Sequence, residues 1–252
     1  MSNIYNEEYL KKLNSDPSRV LIIYYSNFEN NYEPFSSAIS SIVIRSLDKS
    51  IYQCFSIHLE ADLSKLDIET IEDEYIDLEY MVLLKFSKFL KNHKEYTWIH
   101  WNMNNIEYGF EALKHRFDKL SQGSNEQFEE VVGKNKFDLN NFFEIYFGEN
   151  YSTGPDKLKS LMEFNNIDDQ GSYLTQRDEG AEFLKKNYRT VIKSVDFKVT
   201  FISQLPTLFE NKILKIPKKN KYRKFINFIS HPITSFVGLI IGLIIGLLSS
   251  IK

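Results

Sequence analysis

The stretch Tyr96–Leu120, YTWIHWNMNNIEYGFEALKHRFDKL, constrains this chain more than any other. Its opening alternates aromatic and β-branched residues (Tyr96, Trp98, Ile99, Trp101), the pattern of a buried strand. The run Asn102, Met103, Asn104, Asn105 ends that strand. Ile106, Phe110, Leu113 and Phe117 then recur at helical spacing. A strand that passes through a polar turn into a helix is the junction at which α/β folds place ligands and chemistry. Here the junction carries His100, Asn102 and Glu107.

The rest of the chain fits around it. Residues 1–18 are polar, a short helix or loose arm. Val20–Tyr25, VLIIYY, is an unbroken apolar run suited to a strand buried on both faces. Two further strands are expected at Ala38–Ser46 and Ile51–Leu59, joined by the turn Leu47–Ser50, and a helix over Ile68–Asn92. Ser121–Lys136 reads as a surface loop. Short helices follow through Phe147 and over Lys157–Phe164, and one long helix is expected from Arg177 to about Ser203. With a single cysteine, Cys54, no internal disulfide or all-cysteine zinc site is possible. MSNIYNEEYLKKL has no apolar core of a signal peptide, so a reducing, cytosolic compartment is expected.

Charge divides the chain. Residues 211–252 hold eight Lys or Arg and no acid, and removing those eight from the total of 31 leaves 23 basic against 34 acidic side chains. So acidic a body is poorly suited to holding long nucleic acid by charge alone. Ile233–Ile251, ITSFVGLIIGLIIGLLSSI, carries no charge and as a helix would reach about 28 Å. A transmembrane helix is expected there, with a buried core helix as the alternative. The Lys218–Lys224 cluster would keep the large domain on the cytoplasmic side and meet anionic lipid, giving a tail-anchored, single-pass protein. Gly238, Gly242 and Gly246 fall on one face of that helix, a surface for homo-oligomer formation unless they are simply the glycines common in membrane helices. The expected domains are thus an arm (1–18), a folded body (19–210), a basic juxtamembrane linker (211–232) and the membrane helix (233–251).

Three strands, a helix, a fourth strand and further helices is the element order of the RNase H-like fold. Over residues 19–203 the sequence resembles the DEDD-type 3′–5′ exonucleases. Asn27-Phe28-Glu29 stands where that family ends its first strand in Asp-x-Glu. Glu107 follows Asn102 by five residues, as the family's second acid follows its Asn. Asp138 in KFDL matches the strand-end Asp opening a helix, Lys157–Leu161 matches the family's serine–leucine helix, and Asp196 in SVDFKVT is the candidate for the last acid. The resemblance implies an α/β mixed sheet flanked by helices and a site for Mg²⁺ or Mn²⁺ built from Asn27, Glu29, Glu107 and Asp196. Glu29, Glu107 and Asp196 would be catalytic in two-metal phosphodiester hydrolysis.

Two departures weaken that site. Asn27 offers a neutral carbonyl where a bridging carboxylate is needed, and the family's water-orienting His or Tyr is missing, with Ile192 and Lys193 in its place. Glu in place of Asp at position 107 also lengthens the ligand. The expected function is therefore a membrane-anchored exonuclease-fold protein with a weakened or lost metal site. It would act as a sensor or effector for nucleotide, single-stranded nucleic acid or a partner, in antiviral (bacterial) defence. An active metal-dependent 3′–5′ exonuclease on the membrane is the alternative. Plainer readings stand beside these: Glu29 and Glu107 as helix-start or loop acids, Asp196 as a solvated helix residue, Trp98 and Trp101 as core, and His100 as a hydrogen-bonded structural residue.

Overall fold

VLIIYY has no polar face to show to water, and it forms the middle of the sheet. A computed structural model describes residues 7–28, 37–67, 69–103, 108–122 and 124–217. In chain order the main elements are α1 (Glu7–Ser15), β1 (Val20–Phe28), β2 (Ala38–Ser46), β3 (Tyr52–Ser56), α2 (Ile57–Leu63), α3 (Tyr75–Asn92) and β4 (Thr97–His100). They continue with α4 (Phe110–Leu120), β5 (Lys136–Asp138), α5 (Leu139–Phe147), α6 (Lys157–Phe164), α7 (Gln176–Leu184) and α8 (Tyr188–Glu210). The strand order is β3-β2-β1-β4-β5. β1 runs antiparallel to β2 and β2 to β3, whereas β4 lies parallel to β1 and β5 parallel to β4. The chain is therefore an α/β protein with a mixed sheet flanked by helices.

Strand periodicity sorts β1 into two cores. Leu21, Ile23 and Tyr25 pack with Leu78, Val82 and Phe86 of α3 and Leu113 and Phe117 of α4. Val20 and Ile22 face the opposite layer, with Leu10 of α1, Phe142 of α5, Leu161 of α6 and Val195 and Val199 of α8. On the first face a sealed ion pair joins elements. Arg116 of α4 donates to both carboxylate oxygens of Glu79 on α3, Nε at 2.8 Å and Nη2 at 2.6 Å, and the Ile39 N–H of β2 donates to the same carboxylate at 2.8 Å.

Several elements depart from the sequence expectation. β3 ends at Ser56 rather than running to Leu59, because the Ser56 hydroxyl accepts from the Leu59 N–H at 3.2 Å and caps α2. The long helix expected over 177–203 is two helices, α7 and α8, parted at a left-handed Lys186 (φ 64°). α8 then continues past Ser203 to Glu210, with Pro206 inside it.

The membrane assignment is corrected. Among the described residues no helix is long and apolar enough to cross a membrane. α3 has 18 residues and α8 has 23, but α3 carries Asp77, Glu79, Lys85, Lys88 and Lys91, and α8 carries Arg189, Lys193, Asp196 and Lys198. Ile233–Ile251, with Gly238, Gly242 and Gly246, lies outside the described residues. A transmembrane helix, a tail-anchored single-pass topology, a lipid partner and glycine-mediated self-association therefore have no support in the fold and are set aside.

Candidate functional site

β1 and β4 run in parallel, but β4 stops at His100, whose neighbour Ile99 pairs with Ile22, while β1 continues to Phe28. The notch beyond β4 is the crevice at the carboxyl ends of parallel strands where α/β sheets hold ligands. It opens into a cleft of about 980 Å³. Its walls come from Tyr24, Asn27 and Phe28 of β1, Trp101 and Asn102 after β4, Tyr108 before α4, the amino-terminal turns of α5 and α6, and α7 along its length.

The turn after β4 is fixed by its own polar groups. Asn102 sits in the left-handed region (φ 56°), which asparagine adopts more readily than most residues. Its N–H donates to Asp138 Oδ1 at 3.1 Å, and the same oxygen accepts from Asn141 N–H at 3.2 Å, capping α5. Asp138 is 2% exposed, and burial pushes its carboxyl up from the ordinary range. His100 is sealed, and its Nδ1 accepts from the Met103 N–H at 3.2 Å. Burial, followed by the Lys136 charge, lowers its pKa to about 3, so the imidazole is neutral and serves the turn.

Aromatic rings form part of the wall. The Tyr108 ring stacks on Tyr25 at 4.4 Å, its hydroxyl donates to Tyr25 O at 3.0 Å, and the Gly109 N–H donates to the Tyr25 hydroxyl at 2.8 Å. These bonds hold Tyr108 against β1 beside Tyr24, whose ring centroid is 6.1 Å away. Burial raises the phenol pKa values of Tyr24 and Tyr108, so both stay protonated. Trp101 is 7% exposed and packs edge-on against Phe143 behind it.

Amides line the cleft as well. Asn27, 5% exposed, lies at an irregularity in the β1–β2 register, and its Oδ1 accepts from Gln176 Nε2 of α7. Asn140 of α5 donates to Glu144 at 2.9 Å and accepts from the Tyr151 hydroxyl at 2.7 Å. The side-chain amide of Asn102, exposed in the cleft, has no partner among the described residues. α7 reaches the cleft because Gly180 lets it lie close on β1, where an added Cβ would stand 3.2 Å from Phe28 Cβ.

Of the site residues expected from sequence, Asn27 lines this cleft, and Glu29 and Glu107 lie outside the described residues. Asp196 is not part of the cleft wall. It lies on α8, 3.7 Å from Arg45 of β2. The acids were to converge on Mg²⁺ or Mn²⁺, but among the described residues no three His, Cys, Asp or Glu side chains are placed to hold a metal ion. Sequence reasoning missed Gln176, Arg177 and Gly180. The one signal was Gly180, an isolated glycine in a helical pattern, which marks a close approach.

No family model, no curated protein and no solved structure matches this chain. The assignment to the DEDD exonucleases and the RNase H-like superfamily is corrected accordingly. No homology supports it, and the mixed sheet with flanking helices rests on the chain's own geometry.

Proposed function

We propose that this protein is a ligand-binding α/β domain. Its cleft at the carboxyl edge of the sheet holds a small polar organic molecule with a flat ring. The observation that carries this reading is the composition of the wall: Tyr24, Trp101 and Tyr108 offer aromatic surface together with the amides of Asn27, Asn102 and Gln176. A mostly apolar cavity with a few fixed polar groups is the general form of a small-molecule site, and 980 Å³ is at the upper end of the usual size. Aromatic faces bind flat rings, and fixed amides read the polar atoms at a ring's edge.

Recognition fits the wall better than bond-breaking. Thr175, a hydroxyl of the wall, is committed as the cap of α7, accepting from Asp178 N–H and donating to Asp178 Oδ2 at 2.7 Å. Among the described residues of the wall no histidine or cysteine stands beside a hydroxyl to activate it.

Intrinsic fluorescence tests the site. Trp98 is sealed in the core and its indole N–H donates to His93 O at 3.3 Å, leaving Trp101 as the reporter. Titration with phenol should change tryptophan emission saturably, and Trp101→Phe should abolish the change without unfolding the protein. An unchanged response in Trp101→Phe would remove the cleft as the binding site.

A further inference from the structure

The charges on the cleft wall are Glu144, Asp156, Lys157 and Arg177, and three of them are engaged. Lys157 Nζ pairs with Glu144 Oε1 at 2.5 Å and also donates to Glu149 O at 3.2 Å. Asp156 accepts from the Tyr173 hydroxyl through both oxygens, at 2.9 and 2.8 Å, and from the Lys159 N–H at 3.0 Å as the cap of α6, whose amino end offsets its charge. Arg177 differs. It is exposed in the first turn of α7 and has no hydrogen-bond or ion-pair partner among the described residues. The helix offers it none, because the positions three and four residues away are Tyr173, Leu174, Gly180 and Ala181. Its neighbour Gln176 is pinned to Asn27, which fixes the turn that presents it.

A guanidinium holds five N–H donors in a planar fork that matches an oxyanion with two oxygens in reach. We propose that Arg177 is a specificity-determining residue of this cleft and that the ligand is an aromatic oxyanion, a ring bearing a phosphate or carboxylate group. This rests on the ring site proposed above and adds the class of its substituent. The ring lies against the aromatic wall, and the oxyanion takes two parallel hydrogen bonds from Arg177 at the mouth.

Isothermal titration of the full chain at fixed ionic strength with phenol, benzoate and phenyl phosphate tests it. The wild type should bind phenyl phosphate, benzoate or both about tenfold more tightly than phenol, the effect of one charge-assisted hydrogen-bonded pair. Which of the two is preferred identifies the oxyanion. Arg177→Gln should bring all three within about twofold of one another. Arg177 is exposed, so the variant folds as the parent does. Equal affinity for all three in the wild type, or a preference that persists in Arg177→Gln, would overturn the assignment while leaving the ring site intact. Failure of all three to bind would remove the ring site and the oxyanion with it.

Discussion

Lys198 Nζ lies 2.7 Å from Glu179 Oε1, and the two side chains are 1% and 0% exposed. Glu179 belongs to α7 and Lys198 to α8, so the pair bolts together the two helices that replace the single expected one. Ser194 donates to the same oxygen at 2.7 Å, while Glu179 Oε2 has no hydrogen-bond partner. The ammonium also stands 4.9 Å from the ring centroids of Tyr24 and Tyr173, reaching under the cleft wall.

Breaking such a pair from one side strands a buried charge, which costs about 3–5 kcal/mol. Lys198→Met should therefore lower unfolding free energy by that amount in urea titrations. Lys198→Met with Glu179→Leu should recover most of the loss, because neither charge then remains. Equal losses in the single and double variants would show that shape, not charge, holds the joint.

Acid should weaken the fold through His100. Its pKa is held at about 3 against an ordinary 6.5. Between those values the unfolded chain takes up a proton that the folded chain refuses. Stability should thus fall as pH drops from about 6.5 toward about 3, by up to ~1.4 kcal/mol per pH unit. Asp138, whose Oδ2 is 3.9 Å from His100 Nδ1, works the other way: its raised pKa favours the fold as pH drops through its own range. His100→Gln should flatten the stability profile in that window, as read by urea unfolding at a series of pH values. An unaltered slope would contradict a buried neutral imidazole.

Gly180 should tolerate little. A valine there meets Phe28 Cβ and Cα, on a central strand that has nowhere to move. Overpacking of this kind costs about 1–3 kcal/mol, and it would lift Gln176 from Asn27 at the cleft. Gly133→Ala is the control, because nothing lies within 4 Å of its added Cβ. Thermal unfolding should separate the two, and an unshifted Gly180→Val midpoint would mean that α7 does not seat as closely as described.

Local patterns explain which parts of this architecture could be read from the residues. β2 occupies Ala38–Ser46 and α6 occupies Lys157–Phe164, as expected from the residues. The notch beside Trp101 and Asn102 was also visible, because a strand, a polar turn and a helix follow one another there. Ile57-His58-Leu59 misled because it alternates like a strand, while a single capping hydroxyl at Ser56 decides for helix. Lys185-Lys186-Asn187 contains neither glycine nor proline, so the break between α7 and α8 carried no strong marker. That break places Asp196 beside Arg45 and gives the cleft to α7 instead. Which helix faces a cleft is a tertiary fact, set here by Gly180 and the Glu179–Lys198 pair.

The most direct test of the cleft is a two-dimensional ¹H–¹⁵N NMR titration of the isotopically labelled protein with phenyl phosphate. The protein has two indole N–H signals, one from each tryptophan. The Trp101 indole and the backbone amides of Asn27, Asn102, Gln176 and Arg177 should shift together on one binding curve, while the sealed Trp98 indole stays in place. Shifts confined to other surfaces, with the Trp101 signal unmoved at saturation, would contradict a ligand site at the carboxyl edge of the sheet.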